Sequence, residues 1–218
     1  NIEWIRLLYS YPERISNSLI QLIKKEPVIC NYLDLPLQHS SNKIRKKMDR
    51  KGKRSDIINL IHTLREEIED IALRTSIIVG FPGETEADFQ DLKNFVQNIK
   101  FDRLGVFKYS REEDTAAANF PHQIEKEVKE KRYKEIMELQ QQISLNKNQK
   151  LIGQKLKVMI DQVFPDYAVG RSQYDAPEID NQIIIHNTDL NPGDIITCKI
   201  NTAYEYDLIG EKIDESTK

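Results

Sequence analysis

The sequence LRTSIIVGFPGETEADF, residues 73–89, joins an apolar strand to a helix through a glycine-containing turn. Strand periodicity places Arg74, Ser76 and Ile78 on one face and the remaining residues of 74–79 on the other. Gly80 and Gly83 permit a tight turn and a close approach of the backbone to a ligand. Thr85 can cap a helix whose apolar residues recur at steps of three and four: Phe89, Leu92, Val96 and Ile99. A strand, a turn and a helix in this order predict one unit of a parallel β/α fold.

The same pattern extends to both sides of this unit. We predict four strands, at residues 4–10, 32–38, 74–79 and 104–109. Ser55 can cap another helix, whose apolar stripe is Ile57, Ile61, Leu64 and Ile68. Pro121 opens a long charged stretch that ends near Gly153, which we interpret as a solvated connecting helix. Residues 1–150 are therefore expected to form one α/β domain with this helix at its end.

Residues 151–218 follow a different pattern, in which short strands alternate with turns. The strands are KLKVMIDQVF, YAVGRS, NQIIIHN, DIITCKIN and YDLIGEKI, and the turns between them contain Pro, Gly, Asp and Asn. Close strand spacing of this kind predicts a small antiparallel β-barrel as a second domain. This part has 6 basic and 12 acidic residues, a net charge of −6, although the whole chain carries only −3.

Two predicted strands carry polar side chains on one face. In YLDLPLQHS, residues 32–40, Leu33, Leu35 and Leu37 share a face opposite Asp34 and Gln38. A covered parallel strand is normally apolar on both faces, so polar groups here indicate the lumen of a barrel that binds a ligand. Loops at the carboxyl ends of barrel strands form active sites, although Gly-x-x-Gly alone also occurs in ordinary turns.

The composition is that of a globular protein, with 39% hydrophobic and 31% charged residues. No apolar run approaches the roughly 18 residues that cross a membrane. Cys30 and Cys198 stand far apart and form no metal-binding motif, so we expect both to be buried as small apolar residues. His39 follows Gln38 and could act as a general base, but a structural role is favoured. The chain opens within a strand, and we expect it to be a piece of something longer.

Several motifs are similar to those of one enzyme family, the radical S-adenosylmethionine (SAM) methylthiotransferases. The motifs occur in the family's order: WIRLLYSYP, YLDLPLQHSS, LRTSIIVGFPGETEADF and FKYSREEDTAA. The tail, with GRSQYDAPEID and EYDLIGE, resembles the TRAM domain that ends these proteins. The resemblance implies the last four strands of a partial, TIM-like β/α barrel, followed by an OB-like TRAM barrel. Within the family, LPLQH, YDAPEID and EYDLIGE point to the members that modify an aspartate of a small-subunit ribosomal protein.

The resemblance also implies the chemistry of the whole enzyme. A four-iron, four-sulfur cluster, held by a Cys-x-x-x-Cys-x-x-Cys loop, supplies the electron that cleaves SAM to a 5′-deoxyadenosyl radical. A second such cluster, in an amino-terminal domain, takes part in sulfur delivery, and a methylthio group is added to the aspartate β-carbon. None of those cysteines occurs in this sequence, so we assign no catalytic and no metal-binding residue, and we expect this chain alone to be inactive.

For the cofactor, the resemblance and the strand faces together assign SAM contacts to five residues: Gln38, Arg74, Ser76, Gly80 and Phe81. For the partner, the acidic barrel favours a basic loop of the ribosomal protein, contacted by Asp175, Glu178 and Asp180. Two alternatives remain, an enzyme that methylthiolates an adenosine in transfer RNA and a non-catalytic RNA-binding barrel that stacks bases on its aromatic residues. The net charge of −6 makes RNA the less favoured partner. We expect a cytoplasmic protein that does not enter membranes.

Overall fold

The computed structural model describes residues 2–186 and 189–213, which form a parallel sheet followed by a small barrel. The sheet has four strands in sequential order, β1 (Ile5–Leu7), β2 (Ile29–Asp34), β3 (Ala72–Val79) and β4 (Arg103–Lys108). Every neighbouring pair is parallel, so all four carboxyl ends lie at one edge. We call this edge the mouth of the sheet. The predicted partial β/α barrel is confirmed.

Helices cover the outer face of the sheet. They are α1 (Asn17–Lys25), α2 (Asn42–Lys47), α3 (Arg54–Glu67) and α4 (Glu86–Ile99), with short 3₁₀ turns at Pro12–Arg14 and Ala116–Asn119. Both predicted apolar stripes are buried, and Thr85 caps α4 as expected. The predicted cap of α3 is wrong, because the cap position is Lys53 and Ser55 lies inside the helix. Within the described part of the chain, no helix combines the length and the apolar content that a bilayer crossing requires.

The second strand ends earlier than predicted. β2 stops at Asp34, and the chain passes through Pro36, which has no N–H to donate. It nevertheless continues beside β3, because Leu35 N donates to Arg74 O over 2.8 Å and Gln38 N donates to Ser76 O over 2.9 Å. Leu33, with the leucines at 35 and 37, is fully buried against the helices. The predicted faces therefore hold although the strand is shorter.

The connecting helix α5 (Lys126–Gln149) begins after Pro121 and is more than a solvated spacer. Ile136 and Ile143 pack into a core formed by β3, β4 and α4. The helix also buries polar side chains, among them Arg132 and Gln140. The sequence interpretation is corrected here, since α5 is an integral layer of the first domain.

The small barrel consists of β5 (Lys155–Val163), β6 (Tyr167–Ser172), β7 (Gln182–His186), β8 (Ile195–Ala203) and β9 (Asp207–Lys212). It is closed, in the order β5-β6-β7-β9-β8. All five predicted strands are present, although the last residue predicted for the third, Asn187, lies outside the described residues. The strands are antiparallel with one exception, because β7 and β9 run parallel. The predicted small barrel is therefore confirmed, with one parallel pair that its strand pattern did not indicate.

Candidate functional site

The mouth of the sheet contains a cavity of about 500 Å³, which we call the mouth cavity. Its lining includes Gln38 after β2, Ile78 and Phe81 at the end of β3, and residues 107–110 at the end of β4. Three aromatic rings contribute, those of Phe81, Phe107 and Tyr109. Its size lies within the range of about 300–1,000 Å³ that is usual for small-molecule sites.

Gln38 reaches the mouth cavity through an unusual backbone conformation. Its φ angle is +69°, a region that residues other than glycine seldom occupy. Two hydrogen bonds hold it there, since Gln38 N donates to Ser76 O and Ile78 N donates to Gln38 O over 2.8 Å. Backbone strain of this kind is concentrated at binding and catalytic sites.

The aromatic wall of the mouth cavity has one free polar group. The rings of Phe81 and Tyr109 pack edge to face at 5.2 Å, and Phe120 packs against Phe81 from the other side at 6.1 Å. The hydroxyl of Tyr109 is buried and has no hydrogen-bond partner among the described residues. A bound ligand could supply that partner.

The turn after β3, residues 80–83, is fixed by Glu84, a residue that sequence reasoning did not select. We call this turn the mouth loop. Glu84 Oε2 accepts from Gly80 N over 2.6 Å and from Phe81 N over 3.2 Å, while Arg132 donates to Glu84 Oε1 over 3.0 Å. Burial raises the pKa of the Glu84 carboxyl to about 7. Its spacing of four residues from Gly80 is the signal that could have identified it.

His39 lies behind the same carboxylate. Its Nδ1 accepts from Ser41 N over 2.9 Å, and its Nε2 is 3.7 Å from Glu84 Oε2. The ring is fully buried, and burial lowers the pKa of His39 to about 4. A neutral ring whose Nδ1 accepts must carry its proton on Nε2, facing Glu84. Nε2 has no hydrogen-bond partner among the described residues, and His39 is not part of the lining of the mouth cavity.

The structure separates the five residues that were predicted to contact SAM. Gln38 and Phe81 line the mouth cavity, and Gly80 adjoins it in the mouth loop. Ser76 lies on the same face of β3 as Ile78, two residues earlier, and is not part of the cavity lining. Its contact with SAM stays a prediction. Arg74 lies near the start of β3, where its Nη1 donates to Asp34 over 3.1 Å and its Nε donates to Asp180 over 3.3 Å. Two carboxylates thus bind this guanidinium, and its predicted contact with SAM stays a prediction.

The residues predicted to bind a partner are also separated. Asp175 is 1% exposed and accepts a hydrogen bond from Arg103 Nε over 2.8 Å. The Asp180 side chain is 2% exposed and accepts a hydrogen bond from Tyr32 Oη over 2.7 Å. Both carboxylates thus join the small barrel to the amino-terminal ends of the sheet strands, opposite the mouth. The expectation that they face a partner is wrong, and only Glu178 is exposed.

The two cysteines are buried in different domains, as expected. Cys30 lies in β2 against Tyr32, and Cys198 lies in the core of the small barrel. Burial raises the pKa of both thiols, that of Cys198 to about 12. The described residues contain no group of three or more His, Cys, Asp or Glu side chains placed to hold a metal ion. Two thiols in separate cores do not fit an iron-sulfur cluster.

Comparison with known families divides the chain in the same way as its fold. The model of the radical SAM superfamily matches residues 2–96, and the model of the TRAM domain matches residues 152–213. The coproporphyrinogen III oxidase HemN of Escherichia coli, a radical SAM enzyme, has a similar fold. The TM-score is 0.55 at 20% identity, over 65% of this chain and 32% of that protein.

Curated relatives extend over almost the whole chain. Proteins named ribosomal protein uS12 methylthiotransferase RimO share 48% identity in Natranaerobius thermophilus and 50% in Geobacter sulfurreducens, over 97% of this chain in both cases. The relative from Clostridium botulinum strain Loch Maree is 50% identical over 100% of this chain and 49% of its own length. The chain thus spans about half the length of these relatives. A radical SAM segment, a TRAM domain and this continuous similarity show that the chain belongs to the radical SAM methylthiotransferase family and, within it, to the RimO group.

Proposed function

We propose that this chain is the SAM-binding and partner-binding half of a methylthiotransferase that acts on an aspartate β-carbon of a small-subunit ribosomal protein. Residues 1–150 would contribute the cofactor pocket and residues 151–218 the TRAM domain. The observation that carries the proposal is the mouth cavity, where a strained Gln38, an aromatic wall and an unpartnered Tyr109 hydroxyl meet at the ends of parallel strands.

The mouth cavity suits a nucleoside with a charged tail. Phe81 and Phe107 offer ring surfaces for an adenine, and stacking of a base on an aromatic ring contributes about 1–3 kcal/mol. Gln38 and the Tyr109 hydroxyl offer hydrogen bonds that orient polar groups. When bound with its cluster, SAM supplies the radical for hydrogen abstraction.

The two iron-sulfur clusters that the family implies would be held by cysteines outside this chain. We therefore expect activity only in the full-length protein, by which we mean this chain together with the portion that its relatives have in addition. We further propose that the full-length protein works in the cytoplasm, where ribosomes are assembled.

Calorimetry of SAM binding to the full-length protein tests the cofactor site. Gln38→Asn shortens the side chain but tolerates a positive φ, and Phe81→Leu keeps an apolar residue without the ring. Each should weaken SAM binding by about tenfold, which corresponds to about 1.4 kcal/mol. Asn31→Ala, at the opposite end of the sheet, is the control and should leave the affinity unchanged. Unaltered affinity in both mouth variants would refute the site.

For the ribosomal protein, we propose a docking patch on the small barrel that consists of Glu178, Ile179, Tyr204, Tyr206 and Asp207. Each of these residues is exposed. The two acidic groups can attract a basic loop, and the aromatic rings can cover the apolar stems of its Lys and Arg residues. Ile179 and Tyr206 line the same cavity as Arg103, at the strand end opposite the mouth. The patch would therefore supply affinity, while another part of the partner carries the aspartate to the radical.

The patch is tested by neutralising its charges in the full-length protein. Glu178→Gln with Asp207→Asn should slow modification of the ribosomal protein and reduce the dependence of the rate on salt, because complementary charge speeds encounter. Cleavage of SAM without the ribosomal protein should be unchanged. Asp166→Asn with Asp189→Asn makes the same change in net charge elsewhere on the barrel and serves as the control. Equal rates in both double variants would count against the patch.

A second candidate, contact of the TRAM domain with RNA, is favoured by a specific surface. Lys155 and Lys199 are opposite each other on β5 and β8, and Lys157 is exposed two residues further along. Lys155 and Lys157 also line a groove of about 730 Å³ together with Lys24 and Lys25. Cationic side chains along a groove are the usual means of binding phosphates. The net charge of −6 does not describe this surface. It includes the charges of Asp175 and Asp180, which are buried and paired with arginines of the other domain.

Filter binding with transfer RNA and ribosomal RNA distinguishes the two partners. Binding that weakens steeply with salt and is lost in Lys155→Gln with Lys157→Gln would support RNA contact. Binding of RNA that is unaffected by these changes would reject this surface. Modification of the isolated ribosomal protein at full rate would favour the protein partner.

A further inference from the structure

The connecting helix α5 contacts the mouth loop through its first two turns. Arg132 Nη1 donates to Glu84 Oε1 over 3.0 Å and to Glu84 O over 3.2 Å, and its Nη2 donates to Glu86 over 3.4 Å. The Arg132 side chain is only 6% exposed, and its guanidinium stacks over the Phe89 ring at 5.3 Å. These contacts hold the Nη1 and Nη2 atoms of Arg132, whereas its Nε is buried and has no hydrogen-bond partner among the described residues.

Glu84 links Arg132 to the backbone of the mouth loop. One carboxylate oxygen faces Arg132, and the other accepts from the N–H groups of Gly80 and Phe81. These two N–H groups belong to the backbone on the amino-terminal side of the Phe81 side chain, whose ring lines the mouth cavity. The position of Phe81 is therefore set by a chain of charge-assisted hydrogen bonds that begins on α5.

Lys129, one turn before Arg132, closes the loop from the same side. Its side chain packs so tightly on Gly80 that a Cβ atom added there would collide with Lys129 Cγ. Its Nζ donates to Tyr109 O over 3.1 Å. At the other end of the loop, Gly83 N donates to His122 O over 2.9 Å. The start of α5 and the segment before it thus contact both ends of the mouth loop.

We propose that Arg132 is a positioning residue for the cofactor: through Glu84 it fixes the backbone of Gly80 and Phe81 and so holds the Phe81 ring in the mouth cavity. The proposal rests on the proposed function, because it assigns that loop to SAM. It adds a residue from the connecting helix, more than forty positions along the chain, to the determinants of the pocket.

Hydrogen exchange of the full-length protein without SAM measures the first half of the proposal. In Arg132→Met, the amides of Gly80 and Phe81 should exchange at least about tenfold faster, because Glu84 loses its charged partner and the loop is released. Arg132→Lys should recover part of the protection, since a lysine keeps the charge but cannot form the fork of bonds that arginine forms. If Arg132→Met does not fold, Arg132→Lys alone provides the test, with a smaller expected change.

Two control variants separate positioning from general destabilisation. Arg103→Met removes another buried arginine of an ion pair at the opposite end of the sheet and should increase exchange around Asp175, without affecting Gly80. Asn148→Ala removes side-chain contacts at the far end of α5 and should likewise leave the mouth loop protected. Faster exchange of Gly80 and Phe81 in these controls as well would overturn the proposal.

Measurement of SAM binding tests the second half of the proposal, that Arg132 holds the Phe81 ring in the mouth cavity. Arg132→Met should raise the dissociation constant for SAM and the KM about tenfold, while kcat at saturating SAM stays close to that of the wild type. The effect should disappear in the background of Glu84→Gln, because Arg132 then has no carboxylate through which to act. Unchanged exchange at Gly80 and Phe81 overturns the inference whatever the SAM affinity. Faster exchange with unchanged SAM affinity, both here and in Phe81→Leu, overturns the proposed cofactor site instead.

Discussion

The Nε atom of Arg74 donates to Asp180 Oδ1 over 3.3 Å, and this bond joins the interior face of the sheet to the TRAM domain. The same guanidinium donates to Asp34 over 3.1 Å, and Tyr32 donates its hydroxyl to the other oxygen of Asp180. Beside them, Arg103 pairs with Asp175. The segment YDAPEID therefore closes the amino-terminal end of the sheet, and its two aspartates hold the domains together.

Removing one of these carboxylates should cost much of the stability of the domain contact. Asp175→Ala leaves the buried Arg103 without its partner, and breaking a buried pair in this way costs about 3–5 kcal/mol. Arg103→Met combined with Asp175→Leu should cost less, because neither residue of this pair is then left as an unpaired buried charge. Glu178→Gln, on the exposed part of the same segment, should change the free energy of unfolding by less than about 0.5 kcal/mol. Urea unfolding of the four proteins gives these values, and equal losses for Asp175→Ala and Glu178→Gln would contradict the buried pair.

Gly80→Ala should damage the mouth loop for two separable reasons. Gly80 has φ +74°, which costs an alanine roughly 1–2 kcal/mol, and the new methyl group would collide with Lys129. Gly52 has nearly the same φ, +77°, but faces open space, so Gly52→Ala measures the backbone cost alone. Adding Lys129→Ala to Gly80→Ala should recover most of the difference between the two glycine variants, because it removes Cγ and Cδ and leaves only the Lys129 Cβ, at 3.2 Å from the new methyl group. Thermal unfolding compares them, and identical losses for Gly80→Ala and Gly52→Ala would exclude the collision.

The strands and helix faces could be predicted from the sequence because they follow local periodicity. Leu33 and its neighbours at steps of two, and Phe89 with its neighbours at steps of three and four, show in the sequence which side faces the core. The turn at Gly80 was likewise visible, since a glycine at a strand end marks a close approach. These features depend on residues that lie near one another along the chain.

The ion pairs could not be predicted in the same way. Asp175 lies 72 positions from Arg103, and Asp180 lies 106 positions from Arg74, so a count of charges treated both carboxylates as free surface groups. The pair of Glu84 and Arg132 was not predicted either, because its residues lie 48 positions apart within the first domain, although the spacing of Glu84 from Gly80 is local. Pairing across domains depends on how the two folds meet, and no local pattern encodes it.

His39 and Glu84 should oppose each other in the dependence of stability on pH. The pKa of Glu84 rises from 4.5 to about 7 on folding, chiefly because of burial, so its contribution to stability falls as the pH increases through this range. The pKa of His39 falls from 6.5 to about 4, also because of burial, so its contribution grows as the pH increases from about 4 to 6.5. Between about pH 4.5 and pH 6.5, the two opposite slopes of the free energy of unfolding against pH should therefore cancel.

Single variants should reveal each slope. Glu84→Gln leaves His39 alone, and its stability relative to wild type should rise with pH by up to about 1.4 kcal/mol per unit. His39→Asn, whose side-chain oxygen can still accept from Ser41 N, should show the opposite slope. Urea unfolding at pH 4.5, 5.5 and 6.5 measures both. Parallel pH profiles for wild type and both variants would contradict the assigned pKa shifts.

The thiols of Cys30 and Cys198 should be inert in the folded chain. Both are fully buried, and burial raises both pKa values, so neither forms the thiolate that reacts with alkylating agents or binds iron. Iodoacetamide should therefore label them only after urea unfolds the protein, and Cys30→Ala with Cys198→Ala should not alter iron uptake.

Anaerobic reconstitution of the 218-residue chain with iron and sulfide should leave less than one iron per chain, because the two sulfurs lie in separate cores and cannot share a cluster. Stoichiometric iron that is lost in the double cysteine variant would show that the chain rearranges to bind a cluster, and the separation of the two cores would then have to be abandoned.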